Sequence, residues 1–385
     1  MQQIISGARI FTGSEFLDHK AVIIEQGIIQ AIVSPEECPV ESETQHLILK
    51  GGILAPGFID LQVNGGGGIL FTQSPDLASL QTMLRGHRSS GTTGLMPTLI
   101  SAPPDIHRLG VEAVREAMAQ PLPGILGIHL EGPFFALEKR GVHASAYIRP
   151  MQEQDLDWLC HLDIPVLLTL APECIPAGYI SRLTQAGIRV CAGHTDGSYE
   201  QIRAAVAEGL SGFTHLFNAM RAPTAREPGA VGAALDFDDT WCSIICDGHH
   251  LHPAAVRLAY QRKPRGKLLL VSDAMATVGS PTKHFTLYDE TIYQRDGVLI
   301  NSEGRLAGSA IGMIDAVRLA HRQAGLPLDE CLCMASLYPA QYLGREAELG
   351  SLAPQFRADL VHFNDEFTVL NTWVAGEHQS HGETA

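Results

Sequence analysis

The chain has 385 residues, 45% of them hydrophobic and 18% charged, so it can bury a large core and is neither disordered nor fibrous. Its 42 acidic and 27 basic residues give a formal net charge of −15, which disfavours nonspecific binding to nucleic acid or to an anionic membrane. No apolar stretch is long enough to span a membrane, and the N-terminus lacks a basic segment followed by a cleavage site. These features predict a soluble, cytoplasmic protein with no nucleic-acid or membrane partner.

The chain begins with short predicted strands and then changes to a pattern of alternating strands and helices. The first strands are predicted at Ile4–Phe11, Ala21–Glu25 and Ile28–Ile32. From Leu54 onward there are eight apolar runs, namely Leu54–Val63, Thr93–Ile100, Ile125–Leu130, Val166–Leu170, Ile188–Ala192, Gly212–Leu216, Ser243–Cys246 and Leu268–Val271. Helices are predicted between them at Asp76–Ser89, Ile106–Ala119, Gln152–His161, Tyr199–Glu208 and Pro253–Gln261.

Strands that alternate with helices are joined by crossover connections and form a parallel sheet, and eight such units fit a closed, TIM-like (β/α)8 barrel. The eighth unit carries an insertion, His284–Ile300, in which Asp296-Gly297 predicts a hairpin turn. Short strands return at Ala358–Phe363 and Thr368–Ala375. We therefore expect an α/β fold with two domains. Residues 1–53 plus 351–385 would form a small β-sandwich from both termini, and residues 54–350 the barrel.

Polar side chains follow six of the apolar runs, at the point where each predicted strand ends. They are Asp60, Gln62 and Asn64; His129 and Glu131; His194; His215 and Asn218; Asp247 and His250; and Asp273. In a parallel barrel all of these positions meet at the C-terminal face, where active sites of this fold lie. A single histidine there is most simply a partly buried ring with a satisfied hydrogen bond. Six strands that end in this way together indicate an active site.

Glu131, His194 and His215 form a candidate metal site. Two imidazoles and one carboxylate leave a coordination position open for water, as in catalytic zinc sites, and the same donors accept iron or manganese. The alternative for Glu131 is a salt bridge at the barrel mouth. His129 shares a strand face with Glu131 but lies one layer deeper, so a supporting role suits it better than ligation.

Several motifs carry a resemblance to a known family. They include Pro56-Gly57-Phe58-Ile59-Asp60, His129-Leu130-Glu131-Gly132-Pro133, Ala192-Gly193-His194-Thr195, Thr214-His215-Leu216-Phe217-Asn218, Arg226-Glu227-Pro228-Gly229, Asp247-Gly248-His249-His250 and Ser272-Asp273-Ala274. In this order they resemble the amidohydrolase superfamily and, within it, the N-acetylglucosamine-6-phosphate deacetylases. The resemblance runs nearly end to end.

One departure from the superfamily pattern concerns the number of metal ions. Where most members carry His-x-His, this chain has Gln62-Val63-Asn64, and neutral amides are poor ligands for a transition metal. The fourth run ends at Glu173, with no lysine that could bridge two metals. We expect one divalent ion per subunit, Zn²⁺ before Fe²⁺, Mn²⁺ or Co²⁺, with Gln62 and Asn64 near the ion or its water.

The resemblance also implies a set of substrate-binding residues: Val142, His143, Asn218, Ala219, Arg226, Asp247, His250, Leu306, Ala307 and Gly308. Arg226 and His250 would bind a phosphate, although Arg226 could instead be a surface arginine paired with Glu227 or Asp236. His143 is a candidate for stabilising an oxyanion, and Asp273 for moving protons. Family members are oligomeric, so a homodimer or homotetramer is expected, in which part of the Asp247–His250 loop reaches a neighbour's site.

The leading hypothesis is metal-dependent hydrolysis of N-acetyl-D-glucosamine 6-phosphate to D-glucosamine 6-phosphate and acetate, a step of amino-sugar catabolism. N-acetylgalactosamine 6-phosphate is the alternative substrate, because no residue identifies the group that would contact the 4-hydroxyl. A non-catalytic sugar-phosphate-binding protein is the alternative of a different class. It is suggested by Gln62 and Asn64 and disfavoured because Glu131, His194, His215 and Asp273 are all present.

Overall fold

Strands from both ends of the chain form two sheets that pack against each other. The computed structural model describes residues 2–39, 44–120 and 122–382. The strands of these two sheets are β1 (Gln2–Ser6), β2 (Arg9–Phe11), β3 (Phe16–Leu17), β4 (Ala21–Glu25), β5 (Ile28–Val33), β6 (Gln45–Ile48), β7 (Ile53–Pro56), β22 (Leu360–Phe363), β23 (Val369–Val374) and β24 (Glu377–Ser380). One sheet has the order β5-β4-β1-β6 and the other the order β24-β23-β22-β7-β2-β3. Ile5 and Ile24 of the first sheet pack on Leu54, Leu360 and Trp373 of the second, which gives the predicted sandwich its core.

Two of the predicted strands are each divided in two by a glycine. Ile4–Phe11 is β1 and β2, because Gly7 has a left-handed φ of 89° and a Cβ there would lie 2.3 Å from the carbonyl oxygen of Leu49. Leu54–Val63 divides at Gly57, where a Cβ would lie 2.1 Å from Thr93 Oγ1. The first part is β7, which pairs with β2 and β22 in the sandwich, so the predicted boundary at residue 54 falls inside a sandwich strand.

Eight parallel strands form the barrel, as predicted. They are β8 (Phe58–Val63), β11 (Thr92–Ile100), β12 (Ile128–Glu131), β13 (Val166–Leu170), β14 (Arg189–Ala192), β15 (Gly212–Phe213), β16 (Trp241–Ile245) and β17 (Leu268–Val271). Between β8 and β11 lies a short hairpin of β9 (Gly65–Gly66) and β10 (Ile69–Leu70). Each barrel strand pairs with the next one along the chain, and β8 meets β17 at the closure.

Ten α-helices occur among the described residues. They are α1 (Leu77–Arg88), α2 (Pro104–Ala119), α3 (Glu153–Cys160), α4 (Tyr179–Gln185), α5 (Tyr199–Ala207), α6 (Gly229–Asp236), α7 (Pro253–Arg262), α8 (Met313–Arg322), α9 (Leu328–Ala335) and α10 (Leu337–Leu343). The five predicted helices are confirmed as α1, α2, α3, α5 and α7. The sequence did not reveal α6, because its small residues Ala230, Val231, Ala233 and Ala234 are all buried and leave no polar face. None of these helices combines the length and the apolar character that crossing a membrane requires.

An antiparallel sheet, here called the flap, follows the last barrel strand. It consists of β18 (His284–Leu287), β19 (Glu290–Arg295), β20 (Val298–Ile300) and β21 (Leu306–Ser309). The predicted turn at Asp296-Gly297 joins β19 to β20, and both residues have left-handed φ angles, 51° and 83°. The inner side of the flap packs on Leu70, Ile100 and Met275, so it covers part of the C-terminal face of the barrel.

Asp60 connects the first and last strands of the barrel. Its buried carboxylate accepts hydrogen bonds from the hydroxyl of Ser272 and from the backbone N–H of Ser272, 3.1 Å away. Beside it, the Asp273 N–H donates to the Gln62 carbonyl over 3.0 Å, and the Asn64 N–H donates to the Ala274 carbonyl over 2.9 Å. The closure of the barrel between β8 and β17 therefore depends on polar groups. These hydrogen bonds also fix the positions of the residues that follow the two strands.

We expect Asp60→Ala to lower the free energy of unfolding by about 2–4 kcal/mol, because it leaves the Ser272 N–H buried without an acceptor and leaves the Ser272 hydroxyl with the more distant Gln62 carbonyl oxygen, 3.5 Å away. Urea unfolding followed by fluorescence would measure the loss. Asp18→Ala is a matched control, since Asp18 is 66% exposed and forms only a surface ion pair with Arg9. Equal unfolding midpoints for Asp60→Ala and wild type would contradict this account.

Candidate active site

Glu131, His194, His215 and Asp273 lie where barrel strands end, and the last three have strained backbones. Glu131 is the last residue of β12. His194, His215 and Asp273 follow β14, β15 and β17, with left-handed φ angles of 50°, 39° and 52°. Non-glycine residues adopt this conformation at a cost, and such residues concentrate at functional sites. The backbone therefore turns at each of these positions and directs the side chain toward the mouth of the barrel.

Glu131, His194 and His215 come together in the way that the sequence predicts. Glu131 Oε1 lies 3.3 Å from His194 Nε2 and 3.0 Å from His215 Nε2, and the two Nε2 atoms are 3.1 Å apart. All three side chains are buried. Each residue offers one ligand atom, and these atoms lie within 4.8 Å of one another. This group can hold a metal ion.

The hydrogen bonds around the cluster agree with ligation. His194 Nδ1 lies 2.8 Å from the Lys139 carbonyl oxygen, which can only accept, so Nδ1 carries the proton and Nε2 has a free lone pair. Burial lowers the pKa of His194, which favours the neutral ring that a metal needs. His215 Nδ1 is buried and has no partner among the described residues. The donor set therefore fits a divalent ion.

His129 lies one layer below and has no free nitrogen. Its Nδ1 is 3.0 Å from Thr98 Oγ1 and its Nε2 is 2.8 Å from Thr169 Oγ1. Burial lowers the pKa of His129 to about 4, so the ring is neutral. These contacts support the predicted supporting role and leave no lone pair for a metal.

Gln62 and Asn64 connect the cluster to Asp273. Gln62 Nε2 donates to Glu131 Oε1 and to Asp273 Oδ1, both over 3.1 Å, and Asn64 Nδ2 donates to Asp273 Oδ1 over 2.7 Å. The amide oxygens of Gln62 and Asn64 are buried without a partner among the described residues. Burial, and secondly the charge of Glu131, raises the pKa of Asp273 to about 7. Asp273 can therefore gain and lose a proton near neutral pH.

Glu173, which follows the fourth barrel strand, supports a loop. Its carboxylate accepts hydrogen bonds from Thr195 Oγ1 over 2.5 Å and from the Asp196 N–H over 2.6 Å. Both donors belong to the turn that follows His194. Glu173 therefore stabilises the turn that holds a candidate ligand.

These groups surround an open cavity of about 170 Å³ at the mouth of the barrel. Of the predicted substrate-binding residues, Val142, His143, Asn218, Ala219, His250, Leu306 and Gly308 line it. Ile100, Gly141, Ile245 and Met275 also line it and were not predicted. Ile100 and Ile245 are the last residues of β11 and β16, so the same strand-end reasoning could have found them, had it not been restricted to polar side chains.

Three of the predicted substrate-binding residues do not line the cavity. Asp247 lies behind His250, whose Nδ1 is 2.7 Å from Asp247 Oδ2, and so orients that ring. Ala307 is buried in the core of the flap. Arg226 is exposed on the loop before α6, and no described lysine or arginine lines the cavity.

The carboxylates considered as partners for Arg226 are bound elsewhere. Glu227 Oε1 accepts from the N–H groups of Tyr199 and Gly229, and Asp236 contacts Tyr199 and Arg262. Arg226 does not line the cavity of this subunit, so a contact between Arg226 and a phosphate stays a prediction.

Comparison with known proteins gives a consistent result over almost the whole chain. Residues 53–378 match the amidohydrolase family and residues 5–54 match the NagA composite domain. The chain is 39% identical to N-acetylgalactosamine-6-phosphate deacetylase of a Shewanella species, covering 97% of this chain and 95% of that one. It is 35% identical to N-acetylglucosamine-6-phosphate deacetylase of Haemophilus influenzae, covering 98% and 99%.

A solved structure is also similar. The crystal structure of N-acetylglucosamine-6-phosphate deacetylase from Pasteurella multocida has a TM-score of 0.95 at 37% identity, and the match covers 99% of this chain and 100% of that one.

We expect the purified protein to bind one divalent ion and Glu131→Gln to lower its metal affinity by more than roughly tenfold, because the amide removes the anionic ligand. Elemental analysis after dialysis, and titration of metal-free protein with Zn²⁺, would measure both. Glu200→Gln is the control, since Glu200 is 67% exposed and pairs with Arg203 on the surface of α5. Equal metal affinity of Glu131→Gln and wild type would exclude the site.

Proposed function

This chain belongs to the amidohydrolase family, and we propose that it removes the acetyl group from an N-acetylhexosamine 6-phosphate, giving acetate and the amino-sugar phosphate. The observation that carries the proposal is the buried Glu131, His194 and His215 cluster with Asp273 beside it in one cavity. The relatives of known name that span the chain are deacetylases of such sugars. The cluster together with this membership favours an enzyme over a non-catalytic binding protein.

Glu131, His194 and His215 would hold one divalent ion, with Zn²⁺ preferred and Fe²⁺, Mn²⁺ or Co²⁺ as alternatives. When bound, the ion supplies Lewis acidity, which polarises an acyl oxygen and makes water a better nucleophile at neutral pH. Gln62 and Asn64 donate to carboxylates through their amide nitrogens, so their unpartnered oxygens are free to accept from water. In this proposal the two amides orient water beside Asp273.

Asp273 would move the protons of the reaction. Amide hydrolysis removes one proton from the attacking water and adds one to the leaving nitrogen, because an amine anion is a very poor leaving group. Asp273 lines the cavity, and its pKa of about 7 suits both transfers. In the first transfer its carboxylate accepts a proton from water, and in the second its carboxyl group gives that proton to the nitrogen.

His143 would stabilise the negative charge that develops on the acetamide oxygen. Burial lowers the pKa of this histidine to about 3, so the ring is neutral and can donate only from the nitrogen that carries its proton. A neutral donor aimed at a developing oxyanion stabilises the transition state more than the ground state.

The sugar phosphate would be held by His250, Asn218, the backbone of Ala219, and Leu306 and Gly308 of the flap. Gly308 has a φ of 70°, and a Cβ there would lie 2.6 Å from Met275 Cγ, so only glycine fits at this edge of the cavity. His250, oriented by Asp247, is the donor proposed for the phosphate. Arg226 would reach a phosphate only from a second subunit, which is one reason to expect a homodimer or homotetramer.

The gluco epimer remains the first choice of substrate and the galacto epimer the second. Relatives named for each epimer span this chain at similar identity, 35% and 39%. The identity of the relatives therefore does not separate the two substrates.

Acetate release from the two N-acetylhexosamine 6-phosphates, and from the same sugars without phosphate, tests the proposal. We expect a kcat/KM for the phosphorylated sugars that is roughly ten- to a hundredfold higher, since a charge-assisted contact contributes about 1.5–3 kcal/mol. The ratio between the epimers identifies the substrate. No acetate from any of the four sugars, with metal bound, would refute deacetylation, and equal rates with and without phosphate would refute the phosphate contact.

For Asp273→Asn we expect intact folding and metal content and a kcat lower by about 10²–10⁴, the usual contribution of general acid–base catalysis. Asparagine keeps the size of aspartate but cannot carry the proton. Wild-type activity should fall as the pH drops and Asp273 is protonated, and this acidic limb should be absent in the variant. Asp238→Asn is the control, because Asp238 is 62% exposed and pairs with Arg262 outside the cavity. A near-wild-type kcat of Asp273→Asn with full metal would exclude this role.

A further inference from the structure

Ser101, the residue after β11, contacts one nitrogen of the His143 ring through two groups. The backbone N–H of Ser101 lies 3.2 Å from His143 Nδ1, and its hydroxyl oxygen lies 2.9 Å from the same nitrogen. A backbone N–H can only donate, so Nδ1 is an acceptor and the proton of the neutral ring is on Nε2. Both residues are buried, and His143 lines the cavity.

The rest of the ring is held by close packing. The ring of Phe135 lies 5.0 Å from the His143 ring and that of His194 lies 4.6 Å from it, both edge-on. The backbone carbonyl of His143 accepts a hydrogen bond from Arg140 Nη1 over 3.0 Å. With Nδ1 bonded to Ser101 and two ring neighbours in place, the direction of Nε2 is fixed.

The hydroxyl of Ser101 occupies space that a glycine leaves open. Gly132, which follows the candidate ligand Glu131, has a φ of 90°. A Cβ on Gly132 would lie 2.6 Å from Ser101 Oγ and 2.8 Å from the ring of Phe135. Any larger residue at position 132 would therefore displace the hydroxyl from His143.

Ser101 also contacts the flap. The hydroxyl of Tyr288, at the turn after β18, donates to the Ser101 carbonyl oxygen over 2.8 Å. Burial raises the pKa of Tyr288, so this hydroxyl stays protonated and remains a donor. The flap also contributes Leu306 and Gly308 to the cavity, so one hydrogen bond connects a wall of the cavity to the residue that holds His143.

We propose that Ser101 is the positioning residue that keeps the proton of His143 on Nε2, facing the cavity, and that Tyr288 couples this arrangement to the flap. The inference rests on the proposed function, in which His143 donates to the acetamide oxygen. With the proton on Nδ1 instead, Nε2 would present a lone pair to the developing oxyanion and would destabilise it. Ser101 therefore acts through His143 and does not touch the substrate.

The position of the proton is tested without substrate. Spectra of Zn²⁺-loaded protein with ¹⁵N-labelled histidine, in which His143 is identified by its loss in His143→Gln, report each ring nitrogen. We expect a protonated Nε2 and a bare Nδ1 in wild type. Ser101→Ala keeps the backbone N–H donor, so Nδ1 should stay bare and its signal should shift because the bond from the hydroxyl is lost. Tyr147→Phe is the control, because Tyr147 packs 5.9 Å from the Tyr288 ring without bonding to Ser101. A proton on Nδ1 in wild type, or an unchanged signal in Ser101→Ala, would overturn the proposal.

Kinetics then separate positioning from a general structural role. We expect Ser101→Ala to lower kcat about five- to tenfold, and Tyr288→Phe about two- to fivefold, with KM changed by less than about twofold. In a His143→Gln background, Ser101→Ala should cause no further loss, because the residue through which it acts is gone. A full additional loss in that background would overturn the proposal. If wild type releases no acetate at all, the proposed function fails, and the spectra still decide the position of the proton.

Discussion

The site depends on the convergence of three ligand atoms in a buried space. Two imidazole nitrogens lie 3.1 Å apart, and both face the same carboxylate oxygen. Lone pairs directed at one another repel, and burial strengthens that repulsion, so the arrangement favours a cation at the point where they meet. The protein holds the rings in place through their other atoms. The Lys139 carbonyl fixes the proton of His194, and the strained turns at His194 and His215 fix the direction of both side chains.

The layer of the barrel below these ligands is polar and connects neighbouring strands. Thr98 on β11 bonds to His129 on β12 over 3.0 Å, His129 bonds to Thr169 on β13 over 2.8 Å, and Thr169 bonds to Thr214 over 2.6 Å. Aliphatic residues could fill this space but would tolerate a shift between strands. A chain of hydrogen bonds requires one register, and a shift of one residue would turn Glu131 away from the mouth of the barrel. The polar layer therefore gives the cluster above it a defined geometry.

The barrel and the metal cluster could be predicted because both depend on local patterns. Apolar runs end at polar residues, and parallel strands bring those ends together, so Glu131, His194, His215 and Asp273 could be grouped without coordinates. Arg226 and Asp247 do not line the cavity of their own chain, because they lie on loops, where the direction of a side chain depends on tertiary contacts such as the Asp247–His250 bond. The contact between Ser101 and His143 joins residues 42 positions apart in sequence, and no periodic pattern marks such a pair.

The protein has a net charge of −15, and the substrate proposed for it is an anion. The charges close to the cavity must therefore differ from the overall charge of the protein. Screening over about 8 Å at physiological ionic strength makes the nearest charges decisive and the distant ones unimportant. No described lysine or arginine lines the cavity, but two arginines bond to the backbone of the loop at residues 141–143, which lines it. Arg140 donates to the His143 carbonyl over 3.0 Å, and Arg305, just before the cavity residue Leu306, donates to the Gly141 carbonyl over 3.4 Å. Both guanidinium groups are always charged, Arg305 pairs with Glu303 over 3.1 Å, and the hydrogen bonds of both arginines hold the loop that carries His143. In the proposed function, Arg140 beside the cavity favours the phosphate and Asp273 inside it moves the protons.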